Sequence, residues 1–251
     1  MRLATFNVLH GRSPADDSVD LDRFATAVAT LDADVLALQE VDRGQPRSGG
    51  ADLTAVAAEA GGYVAHRFVP ALTGLPGAWS PASGGDARDA PAYGVALLSR
   101  VPVLSWQTVR LPALSVPTPV WFTGRRRPQI VHDEPRAAAV ARLDAPGGPV
   151  TVVSTHLSFL VGWNVLQLHR LVRALAPEQR LVVAGDLNMP PHSARRASRL
   201  RSLAAGPTFP ADRPVRQLDH VLGRGEVAGK DARVWDLPLS DHRALSVQLT
   251  L

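Results

Sequence analysis

The sequence contains no cysteine, which excludes disulfide bonds, thiolate zinc sites and catalysis by a cysteine nucleophile. Aromatic residues make up only 5% of its 251 residues, so leucine, valine and alanine must supply most of the core. No apolar run approaches the roughly 20 residues of a membrane-spanning helix. The N-terminal residues also lack the charged and apolar regions of a signal peptide. We therefore expect a cytoplasmic protein.

Lysine is nearly absent as well, because Lys230 is the single lysine and arginine carries the remaining positive charge. The net charge of +4 attracts phosphate groups, but it is too small to indicate nucleic-acid binding by itself. A hydrophobic content of 45% is enough for a large core. The pattern alternates between strands and helices without a convincing linker, which favours a single α/β domain over residues 1–251 with mixed sheets.

The most informative stretch is residues 181–188, Leu-Val-Val-Ala-Gly-Asp-Leu-Asn. Its apolar start predicts a strand that is buried on both faces and ends near Gly185. Asp186 and Asn188 follow at a spacing of two, which places both side chains on one side of an extended backbone. A carboxylate beside a carboxamide suits a hard metal ion, or a water that must be deprotonated. The alternative is an Asx turn without a catalytic role.

Polar residues also stand at the ends of other predicted strands: Asn7, Glu40, His156, and Asp241 with His242. Asp219 and His220 lie inside a further apolar strand, Gln-Leu-Asp-His-Val-Leu. Each of these residues has a structural explanation when it is taken alone. Such a residue could terminate a turn, cap a helix or make a hydrogen bond inside the core. Only their joint arrangement would indicate a catalytic site.

The regions between these strands give weaker signals. Pro190 and Pro191 predict that no helix starts directly after the 181–188 stretch, so we place the next helix at residues 193–203. Residues 71–92 and 111–135 lack periodicity and are rich in small residues or proline. We expect two long loops there, which in a compact domain are either functional or mobile.

Seven short motifs follow one another along the chain: Thr-Phe-Asn at 5–7, Gln-Glu at 39–40, Gly-Val-Ala-Leu-Leu-Ser-Arg at 94–100, Thr-His at 155–156, Gly-Asp-Leu-Asn at 185–188, Leu-Asp-His at 218–220 and Ser-Asp-His at 240–242. In this order they resemble the endonuclease/exonuclease/phosphatase superfamily over the whole chain. The resemblance implies a four-layer α/β sandwich, in which two mixed β-sheets pack face to face with helices outside. It also implies hydrolysis of phosphoesters with Mg²⁺ or Mn²⁺, at one edge of the sandwich.

The resemblance further implies a role for each matching residue. Three oxygen-bearing side chains would hold the metal ion: Asn7, Glu40 and Asp241. Asp186 would deprotonate the attacking water, which Asn188 would help to hold. The phosphate would be bound, and its negative charge stabilised, by His156, His242 and Arg136. The buried carboxylate of Asp219 would orient His242.

Some positions distinguish the chain from subfamilies. Leu9 and Val41-Asp42 differ from the residues that the abasic-site endonucleases carry after the corresponding motifs, whereas residues 7–11 and 134–136 resemble the small bacterial hydrolases of the superfamily. We therefore expect a phosphodiesterase or phosphomonoesterase that acts on a soluble or lipid-headgroup phosphoester. The alternatives are a nonspecific nuclease of the same fold and a binding module without activity.

A run of arginines, Arg125–Arg127, lies in the second irregular stretch near Trp121 and Phe122. It fits either a solvated loop or a flap whose guanidinium groups engage a phosphate.

Overall fold

A computed structural model of the chain describes residues 1–84, 89–121 and 124–251. Within these ranges the strands are, in chain order, β1 (Arg2–Asn7), β2 (Arg12–Ser13), β3 (Ser18–Val19), β4 (Val35–Arg43), β5 (Ala65–Thr73), β6 (Ser80–Pro81), β7 (Ala92–Ser99), β8 (Val103–Leu111), β9 (Thr118–Val120), β10 (Gln129–Val131), β11 (Arg136–Leu143), β12 (Val150–His156), β13 (Leu181–Asp186), β14 (Arg201–Ser202), β15 (Asp219–Arg224), β16 (Ala228–Trp235) and β17 (Ala244–Thr250). The α-helices there are α1 (Leu21–Leu31), α2 (Leu53–Gly61), α3 (Trp163–Ala174) and α4 (Pro191–Ser198), and short 3₁₀ turns occupy Leu9–Gly11 and Pro46–Ser48.

Two large mixed sheets contain most of these strands. A seven-stranded sheet has the order β16-β17-β1-β4-β7-β5-β6, and a six-stranded sheet has the order β14-β15-β13-β12-β11-β8. In each sheet one central pair is parallel, β1 with β4 and β12 with β13, while the neighbouring pairs are antiparallel. The expected mixed sheets are therefore confirmed.

Alternating side chains of the strands build three apolar clusters, which define four layers. One cluster joins the two sheets, for example through Leu3 and Val35 of the first sheet and Ala139 and Val182 of the second. A second cluster packs the other face of the first sheet against α1 and α2. A third packs the second sheet against α3 and α4. This is the predicted sandwich, and none of its described helices is long and apolar enough to cross a membrane.

The helix after β13 starts earlier than expected. Pro191 is its first residue and it ends at Ser198, whereas the sequence placed it at residues 193–203. Proline is well tolerated at the first helical position, because the backbone N–H that it lacks has no partner inside the helix there. The prolines therefore begin this helix instead of delaying it.

The predicted irregular stretches contain more regular structure than expected. The first includes the end of β5 and the short strand β6, although residues 85–88 within it lie outside the described part of the chain. The second contains the antiparallel pair β9 and β10. Sequence reasoning also missed β16, an edge strand whose residues are mostly exposed and polar and therefore lack an apolar pattern.

Candidate functional site

The alternation of side chains along β1 and β13 brings two polar residues to the same edge of the sandwich. Asn7 shares the face of β1 that carries Leu3, and Asp186 shares the face of β13 that carries Val182. Both faces point into the space between the sheets, so the two strand ends meet at its rim. There Asn7 Nδ2 donates a hydrogen bond of 3.1 Å to Asp186 Oδ2.

A buried polar network fixes the two sheets relative to each other just beneath this rim. Thr5 Oγ1 donates to Gln39 Oε1 at 3.2 Å, and Gln39 Nε2 donates to Ser154 Oγ at 3.3 Å. Ser154 Oγ in turn donates to the Leu38 carbonyl at 3.2 Å. Because Ser154 belongs to β12 and the other residues belong to β1 and β4, the network crosses the sandwich. A fully paired network of this kind limits sliding between the sheets.

Glu40 reaches the rim because it stands at a β-bulge. The register of β4 against β7 shifts between Gln39 and Val41, and Glu40 has a left-handed backbone with a φ of 57°. The bulge turns its carboxylate toward Asn7, whose Nδ2 donates to Glu40 Oε1 at 3.0 Å. Burial raises the pKa of Glu40, and the charge of Asp241 adds to this rise.

Gly185 is required for the close pairing of β13 with β12. Its φ is +151°, and a Cβ added there would lie 1.9 Å from the Thr155 carbonyl oxygen. Gly185 and Thr155 are paired directly in the parallel register. Any larger residue would push β13 away and displace Asp186, which follows it.

Asn188 folds back over the carboxylate of Asp186. Its backbone N–H donates to Asp186 Oδ1 at 2.9 Å, and its side-chain Nδ2 donates to the Leu157 carbonyl at 3.0 Å. The predicted Asx turn is therefore present, but it positions a residue of the site. The two readings of this motif, turn and site, are compatible.

Asp186 is buried and lies among titratable neighbours. Its Oδ2 is 3.5 Å from His156 Nε2 and 3.7 Å from His242 Nε2. Burial raises the pKa of Asp186 to about 7, and the nearby charge of Asp219 contributes to the rise. This carboxyl group can therefore exchange a proton near neutral pH.

Asp219 and His242 form a buried ion pair behind Asp186. His242 Nδ1 donates to Asp219 Oδ2 at 2.9 Å. Burial alone would lower the pKa of His242, but the charge and hydrogen bond of Asp219 outweigh it and raise this pKa to about 10. His242 is held in place by Ser240, whose Oγ accepts from the His242 backbone N–H at 3.0 Å and donates to the Asn7 carbonyl at 2.6 Å.

His156 has the opposite protonation preference. Burial, followed by the charges of Arg136 and His242, lowers the pKa of His156 well below its usual value. The Arg136 Nη1 atom lies 3.4 Å from His156 Nδ1, and the Asn188 Nδ2 atom lies 3.2 Å from His156 Nε2, so each ring nitrogen faces a donor. Neutral His156 carries a single ring N–H with which it can stabilise a phosphate.

Two groups of side chains could hold a metal ion. Ligand atoms of Asp186, Asp219 and His242 lie within 4.8 Å of one another, but His242 already uses Nδ1 to bind Asp219 and carries a proton at neutral pH. The oxygen-bearing set of Asn7, Glu40 and Asp241 suits a hard divalent cation better. Within the described ranges, neither Glu40 nor Asp241 forms a salt bridge, and a cavity of about 720 Å³ opens beside Asp241.

The structure also shows residues near Glu40 that sequence reasoning did not select. Asp42, two residues after Glu40, forms a bidentate ion pair with Arg47, and Arg47 lies over the rings of Trp79 and Tyr93. The sequence holds no signal for this contact, because it depends on the register between β4 and β7.

The arginine run has a different outcome. Arg125, Arg126 and Arg127 are exposed, as is Trp121, and within the described part of the chain none of these arginines bonds to the residues at the rim. Phe122, which the flap hypothesis included, lies outside the described residues. The flap remains a hypothesis.

A family model described as Endonuclease/Exonuclease/phosphatase family matches residues 4–242, and no curated protein sequence matches the chain. An endonuclease/exonuclease/phosphatase from Beutenbergia cavernae is 25% identical with a TM-score of 0.72, over 100% of this chain and 71% of that one.

Two more distant solved structures share the fold. An endonuclease/exonuclease/phosphatase from Bacteroides vulgatus is 18% identical with a TM-score of 0.69, and the match covers 100% of this chain and 98% of that one. A mannosyl-6-phosphatase from Bacteroides thetaiotaomicron is 14% identical with a TM-score of 0.65, and the match covers 100% of both chains.

Proposed function

Because the chain belongs to the endonuclease/exonuclease/phosphatase family, we propose that it is a single catalytic domain that hydrolyses phosphoesters with Mg²⁺ or Mn²⁺. The observation that carries the proposal is the bridging contact of Asn7, whose amide binds both Glu40 and Asp186. It joins a metal-binding carboxylate to a carboxyl group that titrates near neutral pH. Hydrolysis of a phosphoester needs both kinds of group at one place.

Asp186 is the proposed general base. In its ionised form it accepts a proton from the attacking water, and a pKa of about 7 is well matched to that task at neutral pH. The Asn188 backbone N–H donates to Asp186 Oδ1. The other oxygen, Asp186 Oδ2, accepts from Asn7 and faces His156 and His242. Asn188 itself is anchored through Leu157 and is available to orient the water.

His242 is the proposed cationic stabiliser. The ion pair with Asp219 keeps it as an imidazolium and occupies Nδ1, so Nε2–H remains to bind a phosphate oxygen. Such a fixed donor stabilises the negative charge that develops during attack. Neutral His156 adds a second N–H, and Arg136, which is buried next to it, adds a positive charge that needs no proton exchange.

Asn7, Glu40 and Asp241 are the residues that would hold the metal ion. When bound there, Mg²⁺ or Mn²⁺ would neutralise negative charge on the phosphate and polarise its oxygens. Two observations support the fit: the donor set offers oxygen ligands, and within the described residues neither Glu40 nor Asp241 forms a salt bridge.

The substrate that we favour is a soluble or lipid-headgroup phosphoester, either a monoester or a diester. The small net charge of +4 supports a compact substrate, and the structural likeness to a mannosyl-6-phosphatase supports a phosphomonoester among these. A nonspecific nuclease is the second candidate, because the family description includes endonucleases and exonucleases. A duplex would need many phosphate contacts, and these give a steep dependence on salt.

A substrate panel tests the proposal. We expect the purified chain to release phosphate or alcohol from small phosphoesters when Mg²⁺ or Mn²⁺ is added, and to cut plasmid or single-stranded DNA poorly. Efficient DNA cleavage with a steep salt slope would favour the nuclease. If no phosphoester were cleaved with either metal, and Mg²⁺ titration gave no heat and no stabilisation, the proposal would be wrong and a binding module would remain.

A further inference from the structure

Beside the proposed site lies a cluster of four residues, Asp42, Arg47, Trp79 and Tyr93, which we name the Arg47 cluster. The Arg47 guanidinium carbon lies 5.9 Å from the Trp79 ring centroid and 5.3 Å from that of Tyr93. The two rings are 6.1 Å apart and tilted by 39°. These distances are typical of cation–π and aromatic pairs.

Strand register places this cluster next to Glu40. Asp42 and Tyr93 are direct partners across β4 and β7, and the bulge at Glu40 is only two residues before Asp42. The charge of Glu40 reaches the cluster: burial raises the pKa of Tyr93 well above its usual value, and Glu40 contributes to that rise, as Glu134 does, while Arg136 opposes it. The cluster therefore lies within electrostatic reach of Glu40 and of Arg136, which we place at the phosphate.

The cluster has donors and ring surface but little net charge. Arg47 Nε and Nη2 donate to the two oxygens of Asp42 at 2.8 and 2.7 Å, and Asp42 is fully buried. The pair is neutral overall, so it has no excess charge with which to attract an anion. Nη1 has no partner within the described residues, and the Arg47 side chain is 32% exposed. An uncharged hydroxyl group could therefore bind Nη1.

We propose that Arg47, Trp79 and Tyr93 form the subsite for the alcohol part of the phosphoester, and that this alcohol is an uncharged polyhydroxylated ring, such as a sugar. The half-buried rings of Trp79 and Tyr93 offer apolar surface for a flat ring face, and Arg47 offers a fixed hydrogen-bond donor for its hydroxyl groups. This inference rests on the proposed phosphoester hydrolysis and narrows its substrate class.

The test compares one cyclic and one acyclic substrate. Glucose 6-phosphate and propyl phosphate are assayed with Mg²⁺ and the full chain, as wild type and as Trp79→Ala. The ratio of kcat/KM for glucose 6-phosphate to that for propyl phosphate should exceed one in the wild type. It should fall about ten-fold in Trp79→Ala, mainly through KM, because the sugar ring loses its stacking surface and its hydroxyl groups are placed less well.

Arg47→Lys provides a second variant that keeps a positive charge beside buried Asp42, so the fold is preserved. Lysine lacks the planar fork, and we expect the same selectivity ratio to fall several-fold. The matched control is Arg233→Lys. Arg233 lies 3.6 Å above the Trp235 ring on the edge strand at the other end of the sheet, so its replacement should preserve the ratio.

Equal selectivity in the wild type, Trp79→Ala and Arg47→Lys would overturn the subsite, and so would equal losses on both substrates. If the wild type cleaved neither substrate, the panel of phosphoesters with Mg²⁺ and Mn²⁺ would decide the proposed function, and calorimetry would test the subsite separately. Glucose 6-phosphate that binds the wild type with heat, and binds Trp79→Ala at least several-fold more weakly, would support it. Absence of binding to the wild type would overturn it.

Discussion

Replacement of Asp219 by asparagine should move the whole pH profile of activity toward acid. Burial alone would lower the pKa of His242, but Asp219 outweighs it and the pKa rises from 6.5 to about 10. The pKa of Asp186 is raised to about 7, mainly by burial and in addition by the charge of Asp219. The site thus favours the imidazolium by on the order of 5 kcal/mol. Without the charge and hydrogen bond of Asp219, burial should lower the His242 pKa toward its ordinary value of 6.5, while the charges of Asp186 and Asp241 still act to raise it.

The expected size follows from the charged fraction of His242. In Asp219→Asn at pH 8, a His242 pKa of 6.5 would leave about 3% of the histidine protonated, so kcat/KM should fall by up to about 30-fold. The loss should shrink as the pH is lowered, because the variant regains the imidazolium. The acid limb of the pH profile, which reports the ionisation of Asp186, should move below pH 7, because the Asp186 carboxyl also loses the neighbouring charge of Asp219.

The assay is kcat/KM against pH at saturating Mg²⁺, together with a nuclear magnetic resonance titration of His242. Asp236→Asn is the matched control, because Asp236 is an exposed carboxylate in the segment that leads to His242. A loss of the same size at every pH, or an unchanged His242 pKa, would refute the reasoning.

Further expectations concern the metal, the strand pairing and the stability. Glu40→Gln should weaken Mg²⁺ binding measured by calorimetry and reduce turnover by orders of magnitude without unfolding, and near-normal activity at limiting Mg²⁺ would contradict its role as a ligand. Gly185→Ala should destabilise the fold by about 3 kcal/mol or more in urea unfolding, because its Cβ would overlap the Thr155 carbonyl oxygen. Gly84→Ala should be nearly neutral, because its Cβ would meet no described residue within 4 Å. The His242 ion pair should stabilise the fold fully below pH 6.5 and lose this contribution as the pH rises through about 10, so a His242→Gln variant should lose less stability at pH 10.5 than at pH 6.

Much of the fold could be predicted from the sequence because its signals are local. The apolar run of β13 and the polar residues at the strand ends follow from residue type and a period of two, and the motif order identified the family. The effect of Pro190 and Pro191 at the start of α4 was predicted wrongly, because the residue that breaks a helix interior is favoured at its first position. The edge strand β16 was missed because an exposed polar strand has no apolar pattern.

The candidate site could be predicted only as a set of residue types. Residue spacing cannot show that Asp186 and His242 acquire pKa values of about 7 and about 10, since these depend on burial and on Asp219. The bulge that turns Glu40 toward Asn7, and the register that sets Tyr93 beside Asp42, arise from strand pairing across the chain. Such pairings are not encoded in any short window of sequence.

Metal-dependent phosphoester hydrolysis through Asp186 is the central claim, and one comparison tests it most directly. Wild type and Asp186→Asn are assayed on a panel of small phosphoesters with Mg²⁺, with Mn²⁺ and with a chelator. We expect hydrolysis by the wild type that the chelator abolishes and added metal restores, and loss of turnover in Asp186→Asn with substrate binding largely retained. Hydrolysis that persists in the chelator, or an Asp186→Asn variant that turns over like the wild type, would contradict it.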